Sequence, residues 1–259
     1  MDPKLLAGKK ALIVGIANEH SIAYGCAHML KSAGVELAIT YLNDKAKSFV
    51  DKVADQLQPT IYTRCDVTND EDIKSVFQEI DTKWHQLDIL IHSIAFAPKE
   101  DLQGPIVECS KDGFLLAMDI SCHSFLRMAN YAKPLMKNGG SLFAMSFYGA
   151  EKVVENYNLM GPVKAALESS VRYMAVELGP QKIRVIALSP GPVKTRAASG
   201  IGKFDELMLH AREKSPLQTL VDIFDVGAMV TFLASDYAKN ITGDTIYIDG
   251  GYHIVGYPK

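Results

Sequence analysis

The chain is predicted to form one α/β domain built on a single doubly wound parallel sheet of about seven strands. Short apolar runs alternate with segments of helical periodicity, and each strand–helix unit spans about 25 to 45 residues. The apolar runs are continuous rather than alternating, as expected for strands buried on both faces. A length of 259 residues and a hydrophobic content of 48% suit one full core, and composition marks no linker. We therefore expect residues 1–259 to form a single domain.

The first half of the chain contains four predicted units. Gly15 ends the first apolar run and Gly34 precedes the second, while Asn69 or Asp70 is placed to cap the third helix. The predicted strands are 10–15, 36–41, 60–65 and 87–92, and the helices that follow them are 21–33, 45–57, 68–83 and 113–136.

The second half continues the alternation but contains one insert. Strands are predicted at 140–146, 183–188 and 245–249, with helices at 157–178 and 222–235. A Pro/Gly turn closes the sixth strand, because proline cannot continue a central strand. The segment 194–215 is rich in small residues and then apolar, which predicts a helical lid over a cleft, although a surface helical insert is the alternative.

Charge and cysteine usage exclude several classes of protein. A net charge of −3 and a pI near 6.2 give no footprint for nucleic-acid binding. The four cysteines form no CxxC pair and no metal-like cluster, so we expect reduced thiols and no metal. No apolar run reaches the ~18 residues of a membrane span, and the start of the chain has no secretory pattern. We expect a soluble, cytoplasmic protein that does not engage a membrane.

The loop after the first strand has small residues where a doubly wound sheet binds ligands. Such ligands lie beyond the carboxyl ends of the strands. Gly15 permits close backbone approach, and Ser21 and Ile22 begin a helix whose N-terminus favours a pyrophosphate. An ordinary turn with a serine cap is the equal alternative.

The ends of the second and third strands bear on an adenosine moiety. No arginine accompanies Leu42 in the stretch from Tyr41 to Lys45, which favours NADH, although Lys45 leaves NADPH open. Asp66 and Val67 follow the third strand, where a carboxylate can read an adenine amino group or simply cap a helix. The sequence therefore predicts a Rossmann-like dinucleotide site.

The turn after the fourth strand is small and apolar, which suits a nicotinamide ribose. Ser93 and Ile94 are expected there, with Ala97 beyond them. His92 is a candidate base, but a histidine inside an apolar strand is more often a core residue.

Tyr157 and Lys164 are the strongest catalytic candidates. If both lie on one helix, seven residues separate them by about 20° around its axis and about 10.5 Å along it. The phenol would then donate to a developing oxyanion, and the ammonium would hold ribose hydroxyls. An ordinary helix face is the alternative for the isolated pair.

These segments together resemble the short-chain dehydrogenase/reductase superfamily, and within it the bacterial enoyl-acyl carrier protein reductases. The resemblance covers about residues 6–254. Its most specific part is the Tyr-x6-Lys spacing, since most of the superfamily has Tyr-x3-Lys. The matching stretches are 15–25, 65–67, 92–98, 119–121, 156–164, 191–201 and 249–251.

The resemblance implies reduction of a trans-2-enoyl thioester by hydride from NADH, with an enolate protonated afterwards, in the fatty acid elongation cycle. Tyr157 and Lys164 would be catalytic. The implied cofactor-binding residues are Gly15, Ser21, Ile22, Leu42, Asp66, Val67, Ser93, Ile94, Lys164, Val193, Thr195 and Ala197. The implied substrate residues are Ala97, Tyr148, Tyr157 and Met160.

The chain departs from the family pattern at three positions. Phe147 stands where the family usually has its first tyrosine, and Tyr148 follows one residue later as a replacement or as a packing residue. Pro190 and Arg196 stand where alanine and leucine are common. A 3-oxoacyl or carbonyl reductase of the same superfamily, and a paralogue that binds nucleotide without catalysis, are the alternative functions.

The resemblance also implies partners. We expect a homotetramer and an acidic acyl carrier protein that presents the enoyl group. Basic residues near the predicted lid are a candidate docking patch, with a solvated helix face as the equal alternative. These residues are Lys194, Arg196, Lys203, Arg212 and Lys214.

Overall fold

Seven parallel strands form one sheet in the order β3-β2-β1-β4-β5-β6-β7. The structure is a computed structural model and describes residues 4–196 and 198–256. The strands are β1 Lys10–Val14, β2 Glu36–Tyr41, β3 Ile61–Arg64, β4 Ile89–His92, β5 Gly140–Met145, β6 Ile183–Pro190 and β7 Thr245–Ile248. The order reverses at β1, whose neighbours are β2 and β4. The predicted doubly wound parallel fold is confirmed.

Helices cover both faces of the sheet. They are α1 Ile22–Ser32, α2 Asp44–Leu57, α3 Asp70–Trp84, α4 Lys99–Gln103, α5 Lys111–Met118, α6 Ser124–Ala132, α7 Met160–Leu178, α8 Phe204–Lys214 and α9 Ile223–Ala234. Asn69 caps α3 by accepting a hydrogen bond from Glu71 N–H, as its position predicted. No helix within the described ranges is long and apolar enough to cross a membrane.

Each central strand sends alternate side chains into two separate apolar layers. Leu12 and Val14 belong to the layer under α3, α6 and α7, whereas Ala11 and Ile13 belong to the layer under α1, α2 and α9. All four side chains are almost fully buried. This two-sided burial explains why the strands read as continuous apolar runs.

Two glycines bring α1 and α9 into close contact. A Cβ on Gly25 would overlap the Ile223 carbonyl, and a Cβ on Gly227 would overlap the Gly25 carbonyl. The backbones of the two helices therefore meet directly, which holds the N-terminus of α1 at the ends of β1 and β4.

The helix predicted over 113–136 is interrupted. α5 passes into a π-helical segment, Asp119–His123, before α6 begins, and a 3-10 turn over Lys133–Leu135 follows α6. Ser124 Oγ donates to the Ile120 carbonyl at 2.7 Å, which helps to satisfy the widened turn. α4 was not predicted at all, because a five-residue helix is too short to show periodicity.

Candidate active site

A cavity of about 650 Å³ opens at the carboxyl ends of β1, β4, β5 and β6. Its size is ordinary for a small-molecule site. The structure brings together eleven of the predicted site residues in its lining: Gly15, Ser21, Ile22, Ser93, Ile94, Ala97, Tyr157, Met160, Lys164, Val193 and Thr195.

Gly15 shapes the floor of the cavity where β1 ends. Its φ is +108°, and a Cβ there would overlap the Ser93 carbonyl oxygen. Only glycine allows this conformation and this close approach of the β1 and β4 ends.

Ser21 organises the loop before α1 rather than capping the helix. Its Oγ accepts hydrogen bonds from the N–H groups of Ala17 and Asn18 at 3.0 Å each, and donates to the Asn18 carbonyl at 2.7 Å. The side chain makes no capping bond, so the first N–H groups of α1 stay available to an anion.

The loop after β4 is held from behind by Ser121 in the π-helical segment. Ser121 Oγ accepts from Phe96 N–H at 2.9 Å and donates to the Phe96 carbonyl at 3.1 Å. This pair of bonds fixes the stretch that carries Ser93, Ile94 and Ala97 into the cavity. Nothing in the sequence pattern marks Ser121 as a positioning residue.

His92 is a core residue and not a base of the site. It is fully buried, and its Nε2 lies 2.7 Å from Ser124 Oγ. Burial lowers the pKa of His92 to about 3, so the ring is neutral at physiological pH. His92 does not line the cavity.

Tyr157 lies in a turn, and the prediction that it begins the long helix is wrong. α7 begins at Met160, and the flanking Asn156 and Asn158 have φ of +64° and +34°. Asparagine tolerates this left-handed backbone, which a right-handed helix cannot contain. The 20° and 10.5 Å derived for one continuous helix therefore do not describe the pair.

The turn nevertheless places Tyr157 on the cavity. Its ring is buried, with 7% of the side chain exposed, and it packs on Gly149, where a Cβ would overlap the ring. Burial raises the pKa of Tyr157, so the phenol stays protonated and is a hydrogen-bond donor.

Lys164 reaches the same cavity from the first turns of α7. It is 4% exposed, and its Nζ donates to the Met145 carbonyl at the end of β5 at 2.6 Å. Burial lowers the pKa of Lys164 to about 8, and Cys122 and Glu168 oppose that effect. The ammonium is therefore still the main form near neutral pH.

Phe147 lines the cavity, and Tyr148 does not. Phe147 packs against Tyr157, whereas Tyr148 faces a separate small cavity together with His210, Lys214 and Tyr252. Tyr148 thus lies away from this cavity, because the backbone turns after Phe147 and directs the next side chain elsewhere, and its contact with the substrate stays a prediction.

Three other predicted cofactor residues do not line the cavity, and one lies outside the described part of the chain. Leu42 is 48% exposed just beyond β2. Asp66 accepts from the N–H and hydroxyl of Thr68, as a cap-like aspartate does, and Val67 is buried. Their adenosine contacts stay predictions, and Ala197 falls outside the described residues.

Part of the segment predicted as a lid lines the cavity. Phe204 and Ile201 line it, and Gln103 Nε2 of α4 donates to the Gly200 carbonyl at 3.1 Å. Asn158 Nδ2 donates to the carbonyls of Leu102 and Gly104 at 3.0 Å each. The Tyr157 turn, α4 and the lid region are thereby linked.

Glu168 is the charged residue that the sequence analysis missed. It is buried one helical turn after Lys164, and Ser146 Oγ donates to its Oε1 at 2.5 Å. Its spacing of four residues from Lys164 was the available signal.

The site fits a dinucleotide by its own geometry. Free N–H groups at the start of α1 suit a diphosphate, and the buried ammonium of Lys164 suits ribose hydroxyls at the other end. Gly15 removes the side chain that would obstruct the path between them. Among residues 4–196 and 198–256, no group of three or more His, Cys, Asp or Glu side chains is placed to hold a metal ion.

The family model described as enoyl-(acyl carrier protein) reductase matches residues 15–253. The chain is 47% identical over 254 residues to the NADH-dependent enoyl-acyl-carrier-protein reductase of Nostoc sp., which covers 97% of this chain and 98% of that relative.

Solved structures agree with this match. The enoyl-acyl-carrier-protein reductase of Anaplasma phagocytophilum in complex with NAD has a TM-score of 0.93 and 42% identity, covering 98% of this chain and 95% of that chain. The Bacillus cereus enoyl-acyl carrier protein reductase, in complex with NADP+ and indole naphthyridinone, has a TM-score of 0.96 and 42% identity over 99% of this chain and all of that chain.

Proposed function

The chain belongs to the enoyl-(acyl carrier protein) reductase family and is therefore an NADH-dependent reductase of enoyl thioesters in fatty acid synthesis, and we propose that Tyr157 and Lys164 carry that reaction. The proposal rests above all on one observation. The buried Tyr157 and the buried Lys164 line the same cavity, although one lies in a turn and the other in α7.

Tyr157 acts on the thioester oxygen of the substrate. Bound NADH supplies a hydride to the β-carbon, and negative charge then develops on that oxygen. The neutral phenol donates a hydrogen bond whose strength grows with the charge, so it stabilises the transition state more than the substrate.

Lys164 orients the nicotinamide end of the cofactor and adds positive charge. Its bond to the Met145 carbonyl aims the ammonium toward the cavity, where its other two donors suit ribose hydroxyls. The charge favours the enolate form of the substrate.

Apolar side chains form the rest of the substrate wall. Phe147 and Met160 lie beside Tyr157, and Leu102, Ile201 and Phe204 come from α4 and the lid region. Such a wall suits an acyl chain and excludes water from the developing charge. The segment 194–215 serves as the lid, and residues 1–259 act as one domain.

The acyl carrier protein docks beside this lid. Lys194 lies 3.2 Å from Asp205 and Lys203 lies 3.9 Å from Glu206, and all four side chains are exposed. Acidic groups of the carrier would replace Asp205 and Glu206 as partners of the two lysines. Breaking an exposed ion pair costs little free energy. A homotetrameric, cytoplasmic enzyme completes the proposal.

A substrate comparison tests the activity against the alternative reductase. Purified protein is given a trans-2-enoyl thioester or a 3-oxoacyl thioester, each with NADH and with NADPH, and nicotinamide oxidation is followed. We expect turnover of the enoyl thioester with NADH. Turnover of the 3-oxoacyl thioester alone would favour the alternative, and binding without any turnover would favour a non-catalytic paralogue.

A further inference from the structure

Glu168 is a buried carboxyl group that the mechanism above does not use. Only 7% of it is exposed, and it lies on α7 four residues after Lys164, where side chains of one helix are neighbours. A buried carboxyl is costly unless polar partners satisfy it. The short bond from Ser146 Oγ is one such partner.

Ser146 joins Glu168 to the wall of the cavity. It lies between Met145 and Phe147. The Met145 carbonyl accepts a hydrogen bond from the Lys164 ammonium, and Phe147 packs on Tyr157. The bond from Ser146 to Glu168 therefore anchors the end of β5 to α7 at the place where both catalytic groups are held.

The charges around Glu168 come from several elements. Burial raises the pKa of Glu168, and hydrogen bonds from Ser146 and from Thr245 of β7 oppose that shift. Burial lowers the pKa of Lys164, and Cys122 and then the Glu168 carboxylate oppose that shift. The charged or titratable groups that face this pair are Glu151, Arg172, Tyr157, Tyr247, Cys122 and His92.

We propose that Glu168 is a positioning residue for the reductase reaction: it holds the end of β5 through Ser146 and places a buried negative charge one helical turn from Lys164. The inference rests on the proposed role of Lys164. It assigns the carboxylate no contact with the substrate or the cofactor.

Glu168→Gln removes the negative charge of residue 168 and keeps the size and shape of the side chain. The amide oxygen still accepts from Ser146, but the negative charge is lost. The affinity for NADH is measured by fluorescence titration without substrate. As the pH rises, we expect this affinity to be lost at a pH about one unit lower than in the wild type, because Lys164 loses its proton more readily without a close buried charge. The alkaline limb of kcat should move with it.

Glu168→Asp and Ser146→Ala test the positional part. Both keep the carboxylate and lose the bond between residue 168 and residue 146. We expect kcat to fall while the alkaline limb stays at the wild-type pH. These two variants also serve if Glu168→Gln does not fold. Glu177→Gln, an exposed glutamate on α7, is the matched control and should behave as the wild type.

Lys164→Met distinguishes the two levels of the proposal. If it keeps wild-type NADH affinity and pH dependence, the proposed role of Lys164 is wrong. If it abolishes the alkaline limb while Glu168→Gln retains the wild-type limb, the role of Glu168 alone is overturned. If Glu168→Asp moves the limb as far as Glu168→Gln does, charge is not the cause and the inference fails.

Discussion

Phe147 and Tyr157 lie in ring contact, with centroids 4.8 Å apart and planes inclined by 60°. Phe147 stands where the family resemblance leads one to expect a tyrosine, and it has no hydroxyl. Tyr148 faces Tyr252 on the other side of the turn, at 5.7 Å between ring centroids. Tyr157 is therefore the only tyrosine that lines the cavity in the described part of the chain.

This arrangement predicts that Tyr157 alone among the tyrosines donates a hydrogen bond to the developing oxyanion. Tyr157→Phe removes the hydroxyl and keeps the ring packing, so kcat should fall by about 10²- to 10³-fold, as for loss of an oxyanion donor. Tyr148→Phe, the matched control, should retain wild-type kcat. Steady-state kinetics with an enoyl thioester and NADH measure both, and comparable losses in the two variants would refute the assignment.

Gly15→Ala should lower both stability and NADH affinity. The variant combines a backbone φ of +108° with overlap against the Ser93 carbonyl, for an expected loss of about 2–5 kcal/mol. Gly8→Ala is the control, because its φ is +81° and nothing lies within 4 Å of the added Cβ. Urea unfolding should show the smaller loss for Gly8→Ala; equal losses would mean that the contact with Ser93 does not matter.

Buried His92 should make the protein lose stability in mild acid. Its pKa is about 3 in the folded protein and about 6.5 in the unfolded chain, so only the unfolded chain takes up this proton as the pH falls below 6.5. At pH 5 this proton uptake lowers the free energy of unfolding by about 2 kcal/mol.

His92→Gln keeps a polar side chain near Ser124 without that proton uptake. Its free energy of unfolding should differ less between pH 7 and pH 5 than that of the wild type, by about the same 2 kcal/mol. Exposed His20→Gln is the control, since its side chain is 70% exposed. An unchanged difference in His92→Gln would rule out this histidine as the acid-sensitive group.

Ser121→Ala should affect substrate use more than stability. The variant loses two hydrogen bonds to Phe96, at a cost of about 1–2 kcal/mol, and frees the loop that carries Ala97 into the cavity. We expect a several-fold rise in KM for the enoyl thioester, with a fall in Tm of only a few degrees. Ser32→Ala is the control, because it removes only an exposed hydrogen bond within α1, and it should leave KM unchanged. An unchanged KM in Ser121→Ala would mean that the loop is rigid without the hydrogen bonds from Ser121.

The strands and most helices were predictable because burial imposes a repeating pattern. β2 was predicted at its observed bounds, since its apolar run is bordered by Gly34 and by the polar start of α2. Some of the eleven cavity residues were predictable because parallel strands bring their carboxyl ends to one edge, whereas Val193, Thr195 and Met160 were indicated only by the family resemblance.

The remaining errors concern features that leave no periodic trace. The turn at Tyr157 depends on left-handed φ at Asn156 and Asn158, which helical spacing conceals. The direction of Tyr148 depends on one bend after β5. Glu168 was overlooked because its partner Ser146 lies on a different element.

The glycine contact between α1 and α9 has a consequence for protein synthesis. Gly25 is made first, and its partners Ile223 and Gly227 are made about 200 residues later. Until α9 is made, one face of α1 lacks its packing partner, and the helix N-terminus suited to the diphosphate is held by fewer contacts. A nascent chain that stops before Asp222 is therefore expected not to retain NADH, so that cofactor capture requires α9.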